Sequence, residues 1–272
     1  MSTQTKINRK TILDIKKMKT QGEKIAMLTA YDFGMASILD ESDIDILLVG
    51  DSLGNVVLGY DTTLPVTMED MIHHTRAVAR GSQKALIVAD MPFLSYQVSQ
   101  EAAMANAGRL LKEGNAQAVK LEGGGEHAEI VRKMTLSGIP VMAHLGLTPQ
   151  SIHQLGGYKV QGKKEDAAEK MMRDALILEE AGAFSVVLEC VPEKLAAEIT
   201  RTLSIPTIGI GAGVSCDGQV LVVNDMLGMN DRMTPKFVKK YAHLSQEIKN
   251  AAKRYATEVK TGAFPDADHS FK

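Results

Sequence analysis

Eight continuous apolar runs recur through this chain, with helical stretches between most of them. The runs are KIAMLTA (24–30), IDILLVG (44–50), ALIVAD (85–90), QAVKLEG (117–123), IPVMAHL (139–145), FSVVLEC (184–190), IPTIGIG (205–211) and QVLVVND (219–225). A strand with one wet face alternates apolar and polar side chains. Unbroken Val/Ile/Leu/Met/Ala runs belong to strands covered on both faces, as in parallel sheets.

The segments between them carry helix signals. FGMASILDES (33–42) follows the first run. TMEDMIHHTRAVARG (67–81) opens on Thr67 before an acidic first turn and reaches Gly81, a cap pair. SQEAAMANAGRLLKEG (99–114) repeats the device with Ser99 and Gly114. KKEDAAEKMMRDALILEEAG (163–182) is long and amphipathic, and PEKLAAEITRTL (192–203) places Pro192 where a first turn tolerates it. The longest helical stretch is 234–262.

Eight strand–helix units in 272 residues give about 34 residues each, close to the roughly 30 of a (β/α)8 barrel. The expected fold is therefore α/β, a (β/α)8 TIM barrel in a single domain over 1–272. ILDIKKMK (12–19) is expected as an extra N-terminal helix closing the bottom. A doubly wound open sheet competes, but the first turn, TAYDFGMA, lacks a dinucleotide glycine fingerprint.

Composition narrows the function class. Apolar residues make up 44% and charged residues 24%, enough for a full core in a soluble domain. Net charge is −2 with no dense basic cluster, which argues against a nucleic-acid partner. No apolar run reaches the roughly 18 residues of a membrane span, and the N-terminus has no secretory h-region. Cys190 and Cys216 are the only cysteines and read as reduced, so a cytoplasmic location is expected.

Several runs end on an acid: Asp51 after the second, Asp90 after the third, Glu122 on the fourth, Glu189 on the sixth. In a barrel, strand C-termini form the active-site rim. One such acid is most simply a cap for the next loop; four at one rim point to a site. Carboxylates without a Cys/His cluster favour Mg2+ or another hard divalent ion over zinc. Lys120 and Glu122 are two apart and share a strand face, either as a structural ion pair or dividing work between an anionic substrate and a metal. His144 ends the fifth run and is a candidate substrate contact. GGG (123–125) either admits a ligand or makes a tight turn, and GIGAG (209–213) is by itself weak evidence for a phosphate cradle.

Together, VGDSLGNVVLGYDTTLPVTMEDMIHHT, ADMPF, VKLEGG, HLGLTPQSIHQLGGYKVQG, VLECVP, IPTIGIGAG and CDGQVLVVND resemble the ketopantoate hydroxymethyltransferase (3-methyl-2-oxobutanoate hydroxymethyltransferase) family. The resemblance runs from about residue 25 to the terminal HSF, without departure at the positions that carry chemistry. It implies transfer of a hydroxymethyl group from 5,10-methylenetetrahydrofolate to 3-methyl-2-oxobutanoate. The product would be 2-dehydropantoate, on the route to pantothenate and coenzyme A. It also implies Asp51, Asp90 and Glu122 as Mg2+ ligands; Asp51, Ser52, Asp90 and Lys120 as oxoacid-binding residues; Glu189 as proton acceptor; and a homo-oligomer, a decamer in this family. Two other readings are a Mg2+-dependent isocitrate-lyase-type carbon–carbon lyase, whose Lys-Lys-Cys-Gly-His loop this chain lacks, and a non-catalytic metal-binding barrel, which predicts metal binding without turnover.

Overall fold

A computed structural model describes residues 9–230 and 235–271. The chain divides into two compact units, Met1–Val222 and Val223–Lys272.

The first unit holds α1 (Ile12–Gln21), β1 (Ile25–Thr29), α2 (Phe33–Asp40), β2 (Ile46–Val49), α3 (Leu53–Val56), α4 (Met68–Gly81), β3 (Leu86–Asp90), α5 (Gln100–Lys112), β4 (Ala118–Glu122), α6 (Ala128–Leu136), β5 (Val141–Gly146), α7 (Ile152–Leu155), α8 (Glu165–Glu180), β6 (Ser185–Glu189), α9 (Glu193–Thr202), β7 (Thr207–Ile210) and β8 (Gly218–Leu221). The second holds α10 (Val223–Met226) and α11 (Leu244–Thr261). The strands pair in parallel in sequence order, and β8 returns to β1, so the sheet closes as a (β/α)8 barrel. All eight expected strands are present. Among the described residues, no helix is long and apolar enough to cross a membrane.

The barrel interior is filled by alternate strand residues. Ile25 and Met27, Ile46 and Leu48, Leu86 and Val88, Ala118, Met142, Val187, Ile208 and Val220 form one buried cluster, as the two-residue period of a strand requires. Ile15 of α1 is fully buried in that cluster, with Ile12 and Met18 packed against it. The N-terminal helix thus plugs the end of the barrel away from the strand C-termini. A Thr11–Asp14 capping box starts it and Gly22, in a left-handed conformation, ends it.

Local signals held where they were strong. Thr67 and Asp70 form a capping box at α4, and the Ser99 hydroxyl accepts from the Ala102 amide at 3.1 Å. Gly81 differs from its expected role: it lies inside α4, and a side chain there would strike the Phe33 carbonyl at 2.4 Å. It lets α4 lie against α2 and does not cap. Pro192 is the N-cap of α9, just before its first turn. β8 stops at Leu221 and the chain turns helical at Val223, short of the expected strand end. The last helix begins at Leu244, so 235–243 of the expected 234–262 stretch is not helical, and residue 234 lies outside the described residues.

Candidate active site

The inward alternation that builds the core continues into the C-terminal end of the barrel. Val88 leads to Asp90, Ala118 to Lys120 and Glu122, Met142 to His144, and Val187 to Glu189. Each polar residue therefore sits on the interior face, directly above the apolar filling. Strand register puts Asp90 beside Lys120 and Glu122 beside His144. Asp51 and Ser52 enter from the turn after β2. Asp51, Asp90, Lys120, Glu122 and His144 are 2–4% exposed, so none of their charges is solvated by bulk water.

The groups neutralise one another in part. Lys120 Nζ lies 2.7 Å from Asp90 Oδ1 and 3.9 Å from Glu122 Oε1. His144 bridges two strands' acids: Nδ1 is 3.3 Å from Glu122 Oε1 and Nε2 is 3.2 Å from Glu189 Oε2. Burial and the nearby Lys120 charge oppose protonation of the ring, but Glu122 and Glu189 outweigh them and push it up to about 9. The ring lies between both acids, and Lys120 Nζ, 3.3 Å from Nδ1, shares Glu122 with it. Burial also works against the Lys120 ammonium, but Asp90, Glu122 and Asp51 hold it charged, above its ordinary value. Asp90 Oδ1 and His144 Nε2 are buried with their ionic partners off hydrogen-bond alignment, leaving directional capacity for a ligand.

The acids do not reach balance. Burial first, then repulsion from Asp90 and Glu122, pushes the Asp51 carboxyl well above the usual carboxylate range. Burial also raises Asp90, despite Lys120. The donor set of buried carboxylate oxygens in electrostatic excess is what a hard divalent cation satisfies. As the side chains stand, no group of three or more His, Cys, Asp or Glu among the described residues is arranged to hold an ion. The Lys120 ammonium and the Gln150 amide lie against the same oxygens and would have to share them.

Gln150 was not anticipated from the sequence. Its amide donates to Asp51 Oδ2 and to the Met91 carbonyl, both at 2.9 Å, and its backbone N–H donates to Glu122 Oε2 at 2.9 Å. Its carbonyl oxygen accepts from the Tyr96 hydroxyl at 2.9 Å, and the same hydroxyl accepts from the Glu122 amide at 3.1 Å. Tyr31 was also missed; its hydroxyl is 2.9 Å from Ser52 Oγ. A cavity of about 470 Å³ opens against Glu122 and Gln150 from the side of the loops after β3, β4 and β5.

The glycine loops turn out to serve packing. The space over Gly124 is filled by Asp174, 2.3 Å from where a side chain would start, and the space over Gly213 by Glu193 at 2.5 Å. A glutamate lying on the GIGAG loop speaks against a phosphate cradle there. Gly146 has a structural duty: at φ +95, a side chain would meet the Glu189 carbonyl at 2.2 Å, so β5 can pass the β6 tip only as glycine. Cys190 and Cys216 are both free thiols, Cys216 buried and Cys190 half-buried.

The chain is similar to known proteins both in sequence and in shape. A family model described as ketopantoate hydroxymethyltransferase matches residues 9–267. The 3-methyl-2-oxobutanoate hydroxymethyltransferase of Syntrophus aciditrophicus (strain SB) is 67% identical over 271 residues, covering 100% of both chains. Among solved structures, a phosphonopyruvate hydrolase in complex with oxalate and Mg2+ superposes with a TM-score of 0.62 at 10% identity, covering 95% of this chain and 92% of the other. A 2,3-dimethylmalate lyase of the PEP mutase/isocitrate lyase superfamily gives 0.59 at 14% identity, covering 96% and 88%. At such identities the last two speak for the barrel alone.

Proposed function

The chain belongs to the ketopantoate hydroxymethyltransferase family and is a hydroxymethyltransferase, and from that premise we propose its donor, metal and mechanism. The reaction moves the one-carbon unit of 5,10-methylenetetrahydrofolate onto C3 of 3-methyl-2-oxobutanoate, giving 2-dehydropantoate for pantothenate and coenzyme A synthesis. The observation that carries this reading is the convergence of Asp51, Asp90, Lys120, Glu122 and Glu189 on one barrel end, tied together by His144.

Asp51, Asp90 and Glu122 would hold Mg2+, which supplies Lewis-acid polarisation of the keto oxygen when bound. The other residues have separable duties. Lys120, kept charged, neutralises the oxoacid carboxylate or the charge that develops on the keto oxygen, and Ser52 donates a hydrogen bond to it. Glu189 takes the C3 proton. It suits that duty because it sits two strands beyond the metal-facing acids, on β6, and is 17% exposed in its side chain, against 3% for Glu122. His144 orients Glu189 from Nε2 while holding Glu122 from Nδ1. Water replaces both carbon–nitrogen bonds of the methylene group, leaving tetrahydrofolate and a one-carbon unit at the oxidation level of formaldehyde; the C3 carbanion adds to that carbon, and its oxygen, protonated from Glu189, becomes the hydroxyl. Family membership also supports a cytoplasmic homo-oligomer, a decamer, that acts on small molecules without nucleic-acid or membrane partners.

Enolisation can be tested without the donor. In D2O with Mg2+, the protein should exchange the C3 hydrogen of 3-methyl-2-oxobutanoate for deuterium, followed by NMR, in the absence of any folate. No exchange above the rate without protein would end the enolisation mechanism. Cleavage of 2-methylisocitrate under the same conditions would favour the lyase reading instead.

A further inference from the structure

One part of the oxoacid has no partner among the residues assigned so far. Asp51, Ser52, Asp90 and Lys120 serve its carboxylate and keto oxygens, and all four are polar. Its isopropyl group, which distinguishes it from shorter 2-oxoacids, needs an apolar wall. Burying one methyl group is worth about fourfold in an equilibrium constant, so a residue that covers the isopropyl group sets which 2-oxoacid is preferred.

The segment between β5 and α8 stands with both feet on the β6 tip. The Leu147 amide donates to the Glu189 carbonyl at 2.8 Å, and the Gln161 amide to the Cys190 carbonyl at 2.9 Å. Its first half is held down, since Gln150 donates to Asp51 and Glu122 and Ile152 is buried. Its second half is held less. Gly157, at φ +110, has open space where a side chain would start. At the far end the chain is packed again: a side chain on Gly162 would strike Leu195 at 2.7 Å and Met171 at 3.2 Å. Residues 157–160 are therefore a short flap between a free glycine and a packed one. The flap carries two exposed apolar side chains, Tyr158 at 62% and Val160 at 42%. Burial first, then repulsion from Glu189, Asp51 and Glu122, pushes the Tyr158 phenol above its ordinary value, so the hydroxyl end faces the acid cluster while most of the residue stays in solvent. C3 of a bound oxoacid must lie against Glu189, which takes its proton, and Tyr158 shares that neighbour.

We propose that residues 157–160 swing inward about Gly157 on the bound oxoacid and lay the Tyr158 ring on its isopropyl group, so that Tyr158 selects the branched 2-oxoacid over its unbranched homologue. This rests on the oxoacid placement and the Glu189 base proposed above. The polar floor holds the end that all 2-oxoacids share, and the flap reads the end that differs.

Two measurements on the full-length protein test closure and selection separately. The chain contains no tryptophan, so Tyr158→Trp places the sole indole on the flap. With Mg2+ present, 3-methyl-2-oxobutanoate should move its fluorescence emission to shorter wavelength, and pyruvate, which lacks both methyl groups on C3, should move it less. The second measurement is C3–H exchange in D2O, expressed as kcat/KM for 3-methyl-2-oxobutanoate over that for 2-oxobutanoate, which has one methyl group fewer. Tyr158→Ala, at an exposed position that folding tolerates, should lower this ratio about fourfold relative to wild type. Tyr158→Phe should keep the ratio. An emission that does not move, or a wild-type ratio in Tyr158→Ala, would overturn the proposal. A loss in Tyr158→Phe as large as in Tyr158→Ala would assign the effect to the hydroxyl and overturn it as well. Wild-type protein that exchanges neither acid would remove the enolisation reading instead, and the emission of Tyr158→Trp would then decide the flap by itself.

Discussion

Among the acids of the cluster, Glu189 stands apart in both neighbour and exposure. Its partner is His144 Nε2 at 3.2 Å, where Asp90 has the Lys120 ammonium at 2.7 Å. A base must reach the proton it takes, and at 17% side-chain exposure Glu189 is more accessible than Asp90 at 3%. Glu189→Gln should therefore cut C3–H exchange by about 10²- to 10⁴-fold, the ordinary worth of a general base. Oxoacid affinity, measured by calorimetry, should stay within about threefold. Exchange at the wild-type rate in that variant would remove Glu189 as the base. The strand-borne members of this set were legible because each ends an apolar run and shares the parity of the core residues before it. Gln150, Tyr96 and Tyr31 were not. They arrive from loops, and nothing in a local pattern says that the Gln150 amide will reach Asp51, ninety-nine residues away along the chain.

At the scale of elements, the barrel depends on polar ties at the end opposite the active site. Asp40, the last residue of α2 and 6% exposed, collects the chain that leads into β3. Its carboxylate accepts from Ser82 Oγ at 2.6 Å, the Gln83 amide at 2.8 Å, the Ala85 amide at 2.9 Å and the Lys84 amide at 3.0 Å. Burial works against the charge, but these donors outweigh it and hold the carboxyl below its ordinary value. The unfolded chain therefore takes up the proton first. The stabilisation is complete above the unfolded value of about 4 and is lost as pH falls through the lower folded value. Asp40→Asn turns one acceptor into a donor facing N–H groups and should cost about 2–3 kcal/mol in urea unfolding at pH 7. That gap should narrow on acidification; a gap that stays constant to pH 3 would mean the charge is irrelevant. Strands and capped helices were readable because their signals are local. α6 was not read: its N-cap, His127, makes no side-chain cap bond, and only Val131 and Met134 of its nine residues are buried. Its helicity comes from packing, which a short window does not display.

The whole molecule brings together charges that no single element could hold. Asp51, Asp90, Glu122 and Glu189 come from four strand ends and, among the described residues, face two basic groups, Lys120 and His144. Fully ionised, the cluster carries an excess of two negative charges, which is the charge of one divalent ion. Burial, with the neighbouring acids, raises the Asp51 and Asp90 carboxyls, a cost that the closed barrel must offset elsewhere. Relief of that cost, together with ligand linkage, predicts a global effect of metal. At about 100 times its Kd, Mg2+ should add about 2.7 kcal/mol to unfolding. For a chain of this size that is a rise of about 5 °C or more in Tm, read by calorimetry against NaCl of equal ionic strength. The Asp51→Asn/Asp90→Asn double variant should be more thermostable than wild type without metal, because two acids then face two cations and the excess negative charge is gone, and should not respond to Mg2+. A double variant that gained as much Tm from Mg2+ as the wild type would place the ion elsewhere. One less stable than wild type without metal would show that Lys120 and Gln150 already satisfy these acids.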